Sequence, residues 1–149
     1  MNDRIEIFTT PLDPYAALRS FTNDLGSQKA VFGAESHFIG TLRHHNEGSR
    51  VESLWLEHYP GMTENELHRI VLEERQRLNF GPALICHRVG HLTPGETIVV
   101  VATWSEHRAA SLQGTEALIE RLKHEAPFWK REEGSEGARW ITRNTPGRP

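Results

Sequence analysis

At 149 residues the chain is long enough for one domain with a real core and too short for two comfortable ones. A composition 37% hydrophobic and 25% charged is that of a soluble globular protein, and no apolar run approaches the roughly 20 residues of a membrane span, so a cytoplasmic location is expected. The formal net charge of -3 argues against a general nucleic-acid binder, which needs clustered positive charge, and leaves small anions as the ligands suited to any local basic group.

The N-terminus carries acidic residues and only a short apolar run, so it does not read as a signal peptide. Residues 4–8 read as a strand. Asp13 then offers an N-cap with Pro14 in the first helical position, and Ala17, Leu18, Phe21 and Leu25 keep helical spacing to a stop at Gly26. From 30 to 43 the pattern alternates as a strand does, and it alternates again over 51–58, predicting a hairpin or two neighbouring strands around the polar loop 43–48. Thr63 and Glu66 have capping-box spacing, and Leu67, Ile70, Val71 and Leu78 continue a second helix to about Asn79.

Residues 84–89 read as a strand, 90–95 as a turn, and 97–104 as a nearly continuous apolar strand buried on both faces. A third helix follows, capped by Ser105, with Glu106 in its first turn, Leu112, Thr115, Ile119 and Leu122 on its apolar stripe, and an end before Pro127. The expected fold is α+β: a mostly antiparallel sheet with three main helices, one domain over 1–140, and a polar, flexible tail over 141–149. The one cysteine, Cys86, excludes an internal disulfide and any Cys-x-x-Cys pair, and its apolar setting predicts an inert buried thiol.

Three basic groups could carry chemistry: Arg43 with His44 and His45, His107 with Arg108 at the start of the third helix, and Lys123 with Lys130 and Arg131 around the break at Pro127. Each is a candidate anion site, and each could equally be solvated surface. Arg108 and Lys123 lie fifteen residues apart on one helix, about 22 Å at its rise per residue, so one chain cannot bring both to one small ligand. Either they serve separate sites or a second copy supplies one of them. The nine histidines lack carboxylate or cysteine partners at ligand spacing, so no metal is expected.

Together the segments FIGTLRHHN at 38–46, LEHYPGM at 56–62, HRVG at 87–90, His107-Arg108, and Leu122-Lys123 with APFWKRE at 126–132 resemble the large, catalytic subunit of the molybdopterin synthase family. PLDP at 11–14 also fits the family's opening. The resemblance implies a sulfurtransferase that converts cyclic pyranopterin monophosphate (precursor Z) into the dithiolene of molybdopterin, in molybdenum cofactor biosynthesis. The sulfur would come from a thiocarboxylate on the Gly-Gly C-terminus of a small ubiquitin-like carrier subunit, with no resident cofactor. The assembly implied is a heterotetramer around a central homodimer.

Carried onto matching positions, the resemblance implies Lys123 and Lys130 as catalytic residues. It implies Thr41, Leu42, Arg43, His107, Arg108, Arg131 and Glu132 as substrate-binding residues beside them, with His107 and Arg108 arriving from the neighbouring chain. Phe128 and Trp129 are expected to pack beneath the lysines. Each close ammonium is expected to depress the pKa of the other, freeing one lysine to act as a base. Glu106 and His44 depart from the family pattern, where a small residue and an asparagine are expected. A non-catalytic anion-binding or adaptor protein of the same fold is the alternative, and the intact set of Arg43, His107, Arg108, Lys123 and Lys130 counts against it.

Overall fold

The computed structural model describes residues 2–46, 48–134, 137–141 and 147–148. The chain opens with β1 (Arg4–Phe8) and α1 (Pro14–Leu25), followed by a 3-10 helix over Gly26–Val31 and then β2 (Ala34–Thr41), β3 (His45–Asn46) and β4 (Ser49–His58). After α2 (Met62–Leu78) come β5 (Ala83–Arg88), β6 (Gly90–Leu92) and β7 (Thr97–Ser105), and finally α3 (Arg108–Glu125), β8 (Phe128–Gly134) and β9 (Gly137–Ile141). No helix among the described residues is long and apolar enough to cross a membrane.

Local chemistry sets the helix ends. Asp13 accepts from the backbone N–H groups of Tyr15 and Ala16 at 3.0 and 3.1 Å, as the sequence predicts for α1. α2 starts one residue before the expected cap. Gly61, at φ 83°, ends the turn, and Glu64 reaches back to its N–H at 3.3 Å. Thr63 is instead buried inside the first turn and donates to the Tyr59 carbonyl at 2.9 Å. Asn79 ends α2 in the left-handed region at φ 62°, a conformation an Asn side chain tolerates.

The first sheet has the strand order β1-β5-β7-β2. All of its pairings are antiparallel except β1 with β5, which the α1-to-α2 excursion makes parallel. Side chains alternate across it. Ile85, Val99 and Val101 meet α2 and α3 on one face, while Leu84, Cys86, Val100, Ala102 and Trp104 meet α1 on the other. This double coverage explains why β7 reads as continuously apolar. Cys86 is buried and free, and burial pushes its thiol up to about 12, so it is inert.

The second sheet runs β3-β4-β8-β9, with β6 also paired to β4, over a smaller cluster of Leu42, Val51, Leu54, Leu56, Val89 and Leu92. Several expectations change here. β2 and β4 do not form a hairpin, because β2 pairs with β7 and β4 turns into the second sheet. Part of the expected strand at 30–43 is 3-10 helix, and the expected turn at 90–95 holds β6. The segment after Pro127 forms two strands that the sequence pattern does not anticipate. The tail at 141–149 lies largely outside the described residues, although Arg148 is described and donates to Glu116 at 3.1 Å.

α3 also differs from its expected outline. Ser105 does not cap it; its hydroxyl donates to the His107 carbonyl at 2.5 Å, and Glu106 stands outside the helix. Leu112 is 60% exposed, because the buried face runs through Ser111, Gly114, Thr115, Leu118, Ile119 and Leu122. Its first half docks on β2 and β7 through hydroxyls rather than through aliphatic packing.

Candidate active site

Lys123 occupies the last turn of α3. Ala126 is extended at φ -70° and ψ 139°, as a residue before proline prefers to be, and Pro127 directs the chain into β8. Lys130 is then two residues past Phe128. Alternation along β8 puts Phe128, Lys130 and Glu132 on one face and Trp129, Arg131 and Glu133 on the other. The inward face of β8 and the end of α3 meet over a cleft of about 200 Å3, which both lysines line.

The opposite wall comes from the end of β2 and from β3. Thr41, Leu42 and Arg43 line the cleft with His45 and Asn46. Leu42 is tied on both sides: its N–H donates to the Glu96 carbonyl at 3.0 Å, and its carbonyl accepts from Gly95 at 2.8 Å. That clamp presents Arg43 at the rim. Gly40 lies on the floor beside Phe38 and Val99, where a Cβ would stand 2.9 Å from a Val99 methyl. Only glycine lets β2 lie this close to β7 beneath the cleft.

Both lysines are half-buried, and burial is the main reason that both have lowered pKa values. Lys123 is brought down to about 8, with the Lys130 charge contributing second. For Lys130 the shift is also downward from burial, but the neighbouring Glu132 carboxylate works against it. The expected repulsion therefore acts on Lys123, where it is secondary to burial, and is not among the causes of the Lys130 shift. Glu132 is 6% exposed and accepts from the Asn46 amide at 2.6 Å, which joins the two walls of the cleft.

Thus the structure brings together Thr41, Leu42, Arg43, Lys123, Lys130 and Glu132. It does not bring His107, Arg108 or Arg131 to them within one chain. His107 and Arg108 stand exposed at the other end of α3, and the Glu106 carboxylate faces water 3.7 Å from the His107 ring. Arg131 lies on the outer face of β8 and pairs with Glu133 at 3.3 Å. Trp129 is on that outer face too, 4.7 Å from the Tyr59 ring, so of the two aromatics only Phe128 lies beneath the lysines. No group of three or more metal-ligating side chains occurs among the described residues.

A family model described as MoaE protein matches residues 7–125. The chain belongs to the MoaE family. Within it, the molybdopterin synthase catalytic subunit of Escherichia coli is 47% identical over 109 residues, 73% of this chain and 73% of that protein. The molybdopterin biosynthesis MoaE protein of Burkholderia ambifaria superposes with a TM-score of 0.79 at 37% identity, covering 98% of this chain and 94% of that one. A Helicobacter pylori structure, a protein-protein complex of subunits 1 and 2 of molybdopterin-converting factor, shares the fold at a TM-score of 0.77 and 20% identity, over 95% of this chain and 93% of that one.

The MoaE match takes in Arg43, His107, Arg108 and Lys123 and stops before Lys130 and Glu132, whose place in the site therefore rests on geometry. Sequence reasoning missed Asn46 as the partner of Glu132, and it missed His87, which lies under the lysine pair. Both sit in segments that carry the family resemblance, FIGTLRHHN and HRVG. No spacing rule singles them out, because each acts across a contact distant in sequence.

Proposed function

We propose that this chain is the catalytic subunit of a molybdopterin synthase, taking sulfur from the thiocarboxylated Gly-Gly terminus of a small ubiquitin-like carrier to precursor Z. Membership of the MoaE family supports the reaction, and one observation ties it to this site: two lysines with lowered pKa values converge on one cleft with Arg43 and Glu132. Burying cationic side chains this way is costly unless an anion enters or a proton must move.

Arg43 suits the phosphate, because a guanidinium offers fixed paired donors to an oxyanion. Lys123, neutral in a large fraction near pH 8, moves protons as the thiocarboxylate sulfur attacks and the cyclic phosphate opens. Lys130, held toward its charged form by Glu132, stabilises the negative charge that develops. The carrier brings the sulfur, which agrees with a cysteine buried away from the cleft and with a reaction that needs no resident cofactor. A central homodimer would bring His107 and Arg108 of a second copy to the cleft, and the carrier subunits would complete a heterotetramer in the cytoplasm.

The test mixes the protein with thiocarboxylated carrier and precursor Z and follows molybdopterin formation. Product should form with wild type and fall by about a hundredfold or more with Lys123→Ala. No product with wild type, or an unchanged rate with the variant, would overturn the assignment.

A further inference from the structure

His87 has no part in the chemistry above, yet it borders both lysines. It sits near the end of β5, 2% exposed, on the face of the first sheet that meets α3. Its Nδ1 is 2.8 Å from the Arg88 carbonyl oxygen. A carbonyl only accepts, so Nδ1 carries a proton and Nε2 is left bare in the neutral ring. Phe128 stacks on the imidazole with centroids 3.8 Å apart and planes 14° from parallel. His87, Leu122, Ala126, Phe128, Lys123 and Lys130 line a small pocket of about 10 Å3, room for one water at most.

These contacts tie β5 to β8, strands that belong to different sheets and share no ladder among the described residues. Phe128 precedes Lys130 by two residues on the same face of β8, so a ring that fixes Phe128 also fixes the phase of that face. Leu122, on the wall of the same pocket, is the residue before Lys123 in α3. We propose that His87 is a positioning residue for the lysine pair: clamped as a neutral ring by the Arg88 carbonyl and the Phe128 face, it seats both lysine-bearing segments and keeps water from beneath them.

Neutrality is part of the device. The groups that face the ring are Lys123 from α3, Lys130 from β8 and His58 from β4, and all three oppose its protonation, after burial itself; only the Arg88 carbonyl favours it. Together they bring the imidazole down to about 3. An imidazolium here would repel both lysines and a carboxylate would pin them as ammonium groups. An uncharged ring does neither and supplies the desolvation that lowers them.

The purpose of this arrangement rests on the sulfur-transfer reading, but its test does not. The full-length protein, labelled with 13C at lysine Cε, is titrated by NMR, and kcat is measured against pH with the carrier and precursor Z present. Lys123 should titrate near 8 in wild type. In His87→Ala, where water can enter, its pKa should rise by about one unit, a tenfold change in the neutral fraction at pH 7, with the kcat profile displaced the same way. His87→Phe, which keeps an uncharged stacked ring, should hold Lys123 near its wild-type value.

A folded His87→Ala with an unmoved lysine titration overturns the proposal, as does a shift in His87→Phe equal to that in His87→Ala. Should His87→Ala fail to fold, Phe128→Leu removes the stacked face from the other side. A raised Lys123 pKa in that variant supports the proposal, and an unchanged one overturns it. Wild type that makes no molybdopterin would sink the sulfur-transfer reading, while the lysine titrations would still decide the role of His87.

Discussion

The chemistry of the cleft turns on how a lysine side chain behaves when it is half-buried beside another. Lys123 falls to about 8 chiefly because burial disfavours its charged form. A base must be neutral to accept a proton, so kcat should climb about tenfold per pH unit below 8 and level off above it. Lys123→Arg should not restore activity, because a guanidinium does not deprotonate in this range. A rate that falls as pH rises through 8 would instead give Lys123 the role of an ammonium. His87 has the opposite consequence for acid tolerance. Its folded-state pKa of about 3 lies below the ordinary 6.5, so the unfolded chain binds the extra proton between those values. Stability contributed by the neutral ring is therefore complete above about 6.5 and declines as pH falls toward 3. Urea midpoints measured from about pH 7 to about pH 4 should drop more steeply in wild type than in His87→Phe.

At the level of elements, α3 matters most, because candidate groups stand at both of its ends. Its first half is seated by hydroxyls: Thr103 donates to the Ser111 carbonyl at 2.8 Å, Ser36 and Thr115 are 2.8 Å apart, and Ser111 donates to the Thr103 carbonyl at 3.0 Å. Thr103→Val keeps the shape of the side chain but removes one hydroxyl from this network, whose other members still bond Ser36, and should destabilise by about 1 kcal/mol in urea unfolding. Gly114→Ala should do about the same, since a Cβ there would stand 2.6 Å from the Phe80 ring. This polar docking is also why hydrophobic spacing misplaces the first position of the stripe of α3. Spacing selects Thr115, Ile119 and Leu122, which are buried, but it also selects Leu112, whereas the buried positions 111 and 114 are serine and glycine. The two main helices with aliphatic faces, α1 and α2, are legible in the sequence nearly to the residue. β8 is not, because its inward alternation is Phe128, Lys130 and Glu132, and two of those three are charged by reason of the cleft they line. Arg43, Lys123 and Lys130 stand out as local basic groups and are sharpened by family resemblance. Asn46 and His87 become meaningful only once β3 meets β8 and β5 meets α3.

For the molecule as a whole, the geometry of α3 forces a choice about how its two basic ends are used. The helix spans Arg108 to Glu125, so His107 and Arg108 cannot reach the lysine cleft of their own chain. Under the proposed dimer, each cleft takes Lys123 from one copy and Arg108 from the other. Lys123→Ala and Arg108→Ala homodimers should then both be inactive, with a lesion in every site. A mixed dimer is different: one of its sites carries both lesions, and the other carries none. Equimolar refolding of the two variants gives mixed dimers as about half of the population, so about a quarter of the wild-type sites should recover. Sites completed within one chain would each retain a lesion in the mixed dimer and recover nothing. Activity measured with carrier and precursor Z, before and after subunit exchange, separates the two arrangements. Exchange that restores activity would place Arg108 across the interface from Lys123. Exchange confirmed by mass spectrometry without any recovery would overturn the shared site, whereas an Arg108→Ala homodimer active on its own would leave Arg108 outside the site and assign the phosphate to Arg43 and the lysines alone.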